Sequence, residues 1–211
     1  MADKQVPSTI KDEALVMKRR NQMVKGAVTL FIEKGFHKTT TREIAKASGF
    51  SIGTLYEYIR KKEDVLFLVC DSIYQRVKAR MEDDIDPAQV SSLIQAVHSY
   101  FYLMDEMQDE VVVMYQEVKS LPKDAQDYVL QKEREMVAML EEVIRKHISG
   151  PCSEEKVQLI ANNIFVQGQM WGFRRWILQR TFTIEAYADL QVRLLLEGLP
   201  LKEKRPSGNK E

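Results

Sequence analysis

Residues able to do covalent or metal chemistry are sparse in this chain and poorly spaced for it. The histidines His37, His98 and His147 fall on separate segments without metal-ligand spacing. Cys70 and Cys152 belong to no CxxC or Cys/His cluster and read as buried or incidental thiols. No GxSxG, P-loop or dinucleotide-type glycine loop occurs. No enzyme, cofactor or metal is therefore expected. A different chemistry is well spaced. Thr40 and Glu43 form an S/T-x-x-E capping box, which opens a helix whose free N–H groups can meet a phosphate. In the window Thr41–Arg60, Ala45, Gly49 and Leu55 hold positions 5, 9 and 15. A helix-turn-helix needs that spacing: the small Ala45 lets a second helix approach, and Gly49 permits a tight turn at positive φ. Leu55, with Ile44 and Phe50, fills the wedge between the helices.

The charge distribution agrees. The net charge is zero, but residues 1–62 carry thirteen Lys or Arg against six Asp or Glu, and the remainder eighteen against twenty-five. A head of +7 on a body of −7 attracts a phosphate backbone at one end only. A helical adaptor that binds only proteins would need neither this head nor this turn.

The elements that must position these residues are helices throughout, since no stretch sustains the period-2 alternation of a half-buried strand. The expected helices span about 8–34, 41–48, 52–58, 63–84, 86–107, 109–120, 123–148, 154–180 and 183–198, nine in all. The first presents Met23, Ala27, Leu30 and Phe31 on one face and stops at Gly35. Asp86-Pro87 reads as an N-cap and first-turn proline, and Gly150-Pro151 and Gly198-Leu199-Pro200 as stops. The composition, 45% hydrophobic and 29% charged over 211 residues, is that of a globular protein. No apolar run approaches the ~18 residues of a membrane span, and the first twenty residues lack a secretory apolar core. A cytoplasmic protein without membrane contact is expected. The tail from Lys202 to Glu211 reads as disordered.

The segment GFHKTTTREIAKASGFSIGTLYEYIRKKEDVL, with Ala27-Val28-Thr29-Leu30-Phe31 upstream, resembles the DNA-binding signature of the TetR family. About 45 residues carry the resemblance; beyond them only length and helix order agree. It implies an all-α fold with an N-terminal helix-turn-helix DNA-binding domain over 1–62. A helical ligand-binding and dimerisation domain follows over 63–201, then the tail over 202–211. It implies a homodimeric repressor, released from a palindromic double-stranded DNA operator by a small-molecule effector. It also implies roles for residues. Thr41 and Arg42 become backbone and base-edge contacts. Ser51, Gly53, Thr54, Tyr56 and Tyr58 lie on or beside the recognition helix, and Lys62 takes the phosphate-clamping position. Their chemistry suits those roles, because Arg addresses guanine bidentately and hydroxyls and ammonium reach phosphates. Tyr58 has a second reading as a core aromatic. Lys18, Arg19 and Arg20 read either as a basic arm or as a solvated face.

In the expected helix 154–180, apolar residues occupy almost every face. A stripe of Leu159, Asn162, Val166, Met170, Phe173 and Ile177 runs beside one of Ile160, Ile164, Gln167, Trp171, Arg174 and Leu178. A third, Ala161, Phe165, Gly168, Gly172 and Arg175, is small enough to admit a second helix or an acyl chain. With Tyr187, Leu190, Val192, Leu194, Leu195 and Leu196 this helix resembles the family's dimerising pair. Candidate effector contacts are Tyr74, His98, Phe101, Tyr102, Tyr115, Gln116, Trp171, Arg174 and Arg175. Two arginines on an apolar helix need partners: either Glu106, Glu110 or Glu117, or an anionic ligand with an apolar body. Tyr115-Gln116-Glu117 and the Trp/Arg run resemble members of the family that respond to acyl-CoA thioesters.

Overall fold

The structure is a computed structural model and describes residues 6–82, 90–197 and 199–201. Ten α-helices follow one another among these residues: α1 (Glu13–Lys34), α2 (Thr41–Ala47), α3 (Ile52–Tyr58), α4 (Lys62–Glu82), α5 (Val90–Glu106), α6 (Gln108–Glu117), α7 (Lys123–His147), α8 (Glu154–Phe173), α9 (Arg175–Thr181) and α10 (Ile184–Leu196). A 3-10 turn over Val118–Ser120 tightens the end of α6. The sole extended pairing among the described residues is an isolated bridge between Ile148 and Leu201. No helix there is long and apolar enough to cross a membrane. The proposed cap at Asp86-Pro87, the stop at Gly198 and the 202–211 tail lie outside the described residues.

Two expected boundaries move furthest. α1 begins at Glu13 rather than Ser8, with Asp12 as its cap accepting from the Leu15 N–H. The expected helix 154–180 breaks at Arg174, whose φ of −105° and ψ of 22° leave the helical region; hence ten helices rather than nine.

The chain divides into two compact units. One comprises residues up to Tyr74 together with Asp109–Lys132, and the other Gln75–Gln108 with the chain from Glu133 onward. In the first, Met23, Val24, Ala27, Val28 and Phe31 of α1 are buried with Ile44, Ala45, Leu55 and Ile59. Leu30, expected on that face, is half-buried. α1 crosses α2 closely at Gly26, where a Cβ would stand 3.1 Å from the Ala47 carbonyl carbon. In the second unit α5, α8 and α10 pack on one another. Tyr100, Phe101, Leu103 and Met104 of α5 are fully buried there with Ile164, Phe165 and Tyr187.

Candidate nucleic-acid interface

Local chemistry builds the helix-turn-helix as the spacing predicts. The capping box closes both ways: the Glu43 N–H donates to Thr40 Oγ1 at 3.3 Å, and the Thr40 N–H to Glu43 Oε2 at 2.9 Å. Lys34 also donates to Glu43. That bond, with those from Thr40, holds the Glu43 carboxyl down to about 2. Gly49 turns the chain at φ 74°, one of two positive-φ residues among those described, the other being Gly35 at 83°. The Phe50 N–H then donates back to the Ala45 carbonyl at 2.8 Å. Ser51 caps α3, accepting from the Thr54 N–H at 3.0 Å.

On this frame the polar residues of α2 and α3 lie at the surface. Arg42, Ser51, Gly53 and Tyr56 are exposed, and Thr41 and Thr54 half-buried. Thr41 Oγ1 and Tyr56 Oη lie 3.1 Å apart, joining the N-terminus of α2 to the middle of α3. Ser51 Oγ and Thr54 Oγ1 are 3.0 Å apart. A Cβ on Gly53 would meet nothing closer than Ser51 Oγ at 3.7 Å, so no packing within the chain demands glycine there. The missing side chain leaves backbone open to something outside.

Two of the expected contacts are placed otherwise. Tyr58 is only 3% exposed and packs in the core of the unit, which removes it from the outer face and favours its second reading. Lys62 Nζ donates to the carbonyls of Phe36, His37 and Thr39 at 2.8, 3.3 and 3.0 Å and lies 4.3 Å from the Phe36 ring centre. Three donors meet three acceptors, so the ammonium closes the turn between α1 and α2 instead of reaching outward. Arg20 departs from both of its readings as well. Its guanidinium donates to the carbonyls of Val6 and Tyr58 and serves neither as a free arm nor as a solvated face.

Comparison with known proteins gives this geometry its setting. Residues 24–69 match the model of bacterial regulatory proteins of the tetR family. Over 200 residues the chain is 30% identical to the HTH-type transcriptional regulator HbdR of Aromatoleum sp. (strain CIB), covering 91% of this chain and 85% of that protein. The chain belongs to the TetR family. Its members are DNA-binding transcriptional regulators, not enzymes. Among solved structures, a tetR-family regulatory protein from Rhodococcus RHA1 superposes with a TM-score of 0.72 at 20% identity, covering 88% of this chain and 99% of that one. AibR, solved in complex with isovaleryl coenzyme A and operator DNA, superposes with a TM-score of 0.65 at 21% identity over 87% of this chain and 100% of its own.

As a TetR-family chain it carries its candidate effector residues in scattered settings. In the second unit Phe101 and Trp171 meet through Tyr187, with ring centres 5.7 and 4.9 Å from it. Trp171 Nε1 donates to Asp105 at 2.6 Å. His98 bonds Asp189 at 2.9 Å and stacks on Tyr102. Arg174 is exposed at the break between α8 and α9, and Arg175 is half-buried. Because the helix ends there, the arginines are not spread along an apolar helix as expected. Glu106, one suggested partner, is held by Arg76 and Arg80, and Glu117 accepts from the Phe36 N–H and Ser120. In the first unit Tyr74 lies under the Lys132 ammonium at 4.6 Å, while Tyr115 and Gln116 are exposed.

Of the two readings of the glycine stripe, the close approach of another helix holds and the room for an acyl chain does not. A Cβ on Gly168 would overlap the Tyr100 ring and stand 3.1 Å from Met104 Cγ; one on Gly172 would stand 3.0 Å from Gln108 Cα. Gly168 admits the chain's own α5 and Gly172 the first residue of α6, rather than a ligand chain or a second copy. Tyr187 stands among the last-helix residues of the resemblance to a dimerising pair. It is buried, and its hydroxyl donates to the Gln167 carbonyl at 2.9 Å. Helical spacing contains the missing signal: Tyr187, Ala188, Val192 and Leu196 form the buried stripe of α10, and Leu190 and Leu194 the exposed one.

Proposed function

We propose that this chain is a homodimeric cytoplasmic repressor that leaves a palindromic operator when an apolar anion, of the acyl-CoA class, binds its second part. Residues 1–62 contact DNA, and 63–201 bind effector and partner. The observation that carries the DNA reading is the single outward face of Thr41, Arg42, Ser51, Gly53, Thr54 and Tyr56 on a capped, closely packed scaffold. Arg42 reads a base edge, and the hydroxyls meet phosphates. Dimerisation is supported by uncovered leucines on two helices: Leu159 on α8 is 60% exposed and Leu194 on α10 70%, with Leu190 one turn before it. Water-facing leucines on two helices of one unit are the surface a second copy would cover. The effector class is supported by the arginines at the α8–α9 break and by the acyl-CoA bound to the similarly folded AibR. Trp171, Phe101, Tyr102 and His98 of the second unit stand as the contacts for its apolar part. The effector acts by binding the DNA-incompetent conformation more tightly, with α4 as the lever.

Footprinting with sedimentation tests the first half. Two half-sites about 34–36 Å apart, saturated by a dimer, are expected; one half-site saturated by a monomer overturns it. Titrating acyl-CoAs of rising chain length against the complex tests the second. Release should strengthen by up to about 0.8 kcal/mol per buried methylene. Release by no chain length, or Arg174→Ala and Arg175→Ala responding as wild type, overturns it.

A further inference from the structure

α3 ends without any of the usual local devices. No glycine follows it, and Ile59 passes straight into extended backbone at φ −141°. Its last carbonyls therefore need donors from elsewhere. They find them almost fifty residues upstream. The Glu57 carbonyl accepts from Ser8 Oγ at 3.0 Å, from the Thr9 N–H at 3.0 Å and from Thr9 Oγ1 at 3.2 Å. The Tyr58 carbonyl accepts from Arg20 at 3.3 Å, and the same guanidinium holds the Val6 carbonyl. Val6 is itself buried and lines a small cleft with Arg60, Asp64 and Phe67. Asp64 in turn accepts from the Arg60 and Lys61 N–H groups at 2.8 and 3.3 Å, fixing the link from α3 into α4. Burial lowers the Arg20 guanidinium below its ordinary value while the Asp64 charge opposes that shift, as expected of a cation withdrawn from solvent.

We propose that Val6–Thr9 is a strap that sets the pose of the recognition helix, with Ser8, Thr9 and Arg20 as positioning residues that tighten operator binding without touching DNA. The proposal rests on α3 being the helix that reads DNA. The hydrogen bonds that Ser8, Thr9 and Arg20 donate here end on backbone carbonyls, not on the side chains of the outward face. They hold the opposite chemical end of the helix, its free carbonyls, so their loss changes the angle at which Thr54 and Tyr56 are offered. Sequence-specific contacts demand that angle, whereas sequence-independent attraction to phosphates does not.

The test uses the full chain and an operator selected from random DNA by the wild-type protein. Ser8→Ala with Thr9→Val, both at exposed or half-buried positions, removes the hydroxyl donors. Operator affinity should fall roughly tenfold while affinity for random DNA and the Tm hold. Amide exchange across Leu55–Ile59 should quicken with α4 unchanged, and the hydroxyl-keeping pair Ser8→Thr with Thr9→Ser should bind as wild type. Arg20→Met should repeat the loss with an unchanged salt slope. The strap is overturned if the Ala/Val pair keeps wild-type preference for operator over random DNA. Affinity falling in step with Tm overturns it too, by reducing the strap to general stability. Equal losses on both DNAs, with an Arg20→Met salt slope flatter by about one unit, overturn it in favour of a phosphate-contacting arm. A wild-type protein that prefers no DNA sequence fails earlier, at the reading of α3 itself.

Discussion

The helix-turn-helix and the second unit both use glycine and aromatic residues at close quarters, yet the two regions use them for opposite ends. In the first, Gly49 turns the backbone at φ 74° and Gly53 stays open, with no chain atom requiring its bareness. In the second, Gly168 and Gly172 are filled to contact by Tyr100, Met104 and Gln108. Tyr56 is exposed beside Thr41, whereas Tyr100 and Tyr187 are buried with their hydroxyls on the carbonyls of Phe165 and Gln167. A small residue followed by a turn specifies itself locally. A small residue inside a helix takes its meaning from whatever packs against it, and that neighbour is distant in sequence.

The largest effect should come from filling the second kind of glycine. Gly168→Ala would drive a methyl into the Tyr100 ring, which is fully buried and pinned through its hydroxyl to the Phe165 carbonyl at 2.8 Å. Overpacking of this sort costs about 1–3 kcal/mol, against a gain of at most about 1 kcal/mol in helix propensity. Net loss of stability is expected in urea or thermal unfolding, and Gly53→Ala should instead leave stability equal or higher while weakening DNA binding. A Gly168→Ala protein more stable than wild type would erase the distinction between the two glycines.

That contrast also explains what could be read from the chain alone. The capping box, the positive φ at Gly49 and the wedge of Ile44 and Leu55 are consequences of neighbours within twenty residues, and each was legible. So was the outward placement of Arg42, Ser51 and Tyr56. The helix content was legible from periodicity, and the ends of α1 near Lys34 and α7 near His147 from the glycine and proline signals that follow them. The break at Arg174 was not, since nothing in WGFRRW stops a helix by itself. The roles of Lys62 and Arg20 were also hidden, because each is decided by carbonyls that folding brings from 23–26 and 14–38 positions away. A lysine beside a DNA-binding motif reads as a phosphate contact until the turn it closes is seen.

Lys62 and Arg42 give the next largest effect and sharpen the comparison within the head itself. Arg42→Ala should cost about 1–3 kcal/mol on the operator and much less on random DNA, measured by competition binding. Lys62→Met should lower the stability of the protein by about 1 kcal/mol or more for its lost carbonyl bonds and leave the salt slope of binding as it was. A slope flattened by about one unit at unchanged Tm would return Lys62 to the phosphate.

The smallest effects are in pH, where one carboxyl from each region should pull stability in opposite directions. Glu43, half-exposed at the start of α2, is held down to about 2, foremost by Lys34 and then by Thr40. Unfolded, the same group titrates near 4.5. The folded state therefore favours its charged form, and its contribution is complete above 4.5 and is lost as pH falls toward 2. Glu133 of α7 is the reverse: burial raises its carboxyl above 4.5, and the nearby Gln169 side chain only partly opposes the shift. There the folded state favours the neutral form. Its contribution is complete below 4.5 and is lost as pH rises from that value to the raised one. Melts of Glu43→Gln and Glu133→Gln across pH 2–8 separate the two. Glu43→Gln should be less stable than wild type at neutral pH and converge with it in acid. Glu133→Gln should match wild type in acid and exceed it at neutral pH, since the amide keeps the shape of the side chain without a charge to bury. A Glu133→Gln protein weaker than wild type at pH 7 would mean that the carboxylate is held charged in the second unit as Glu43 is in the first.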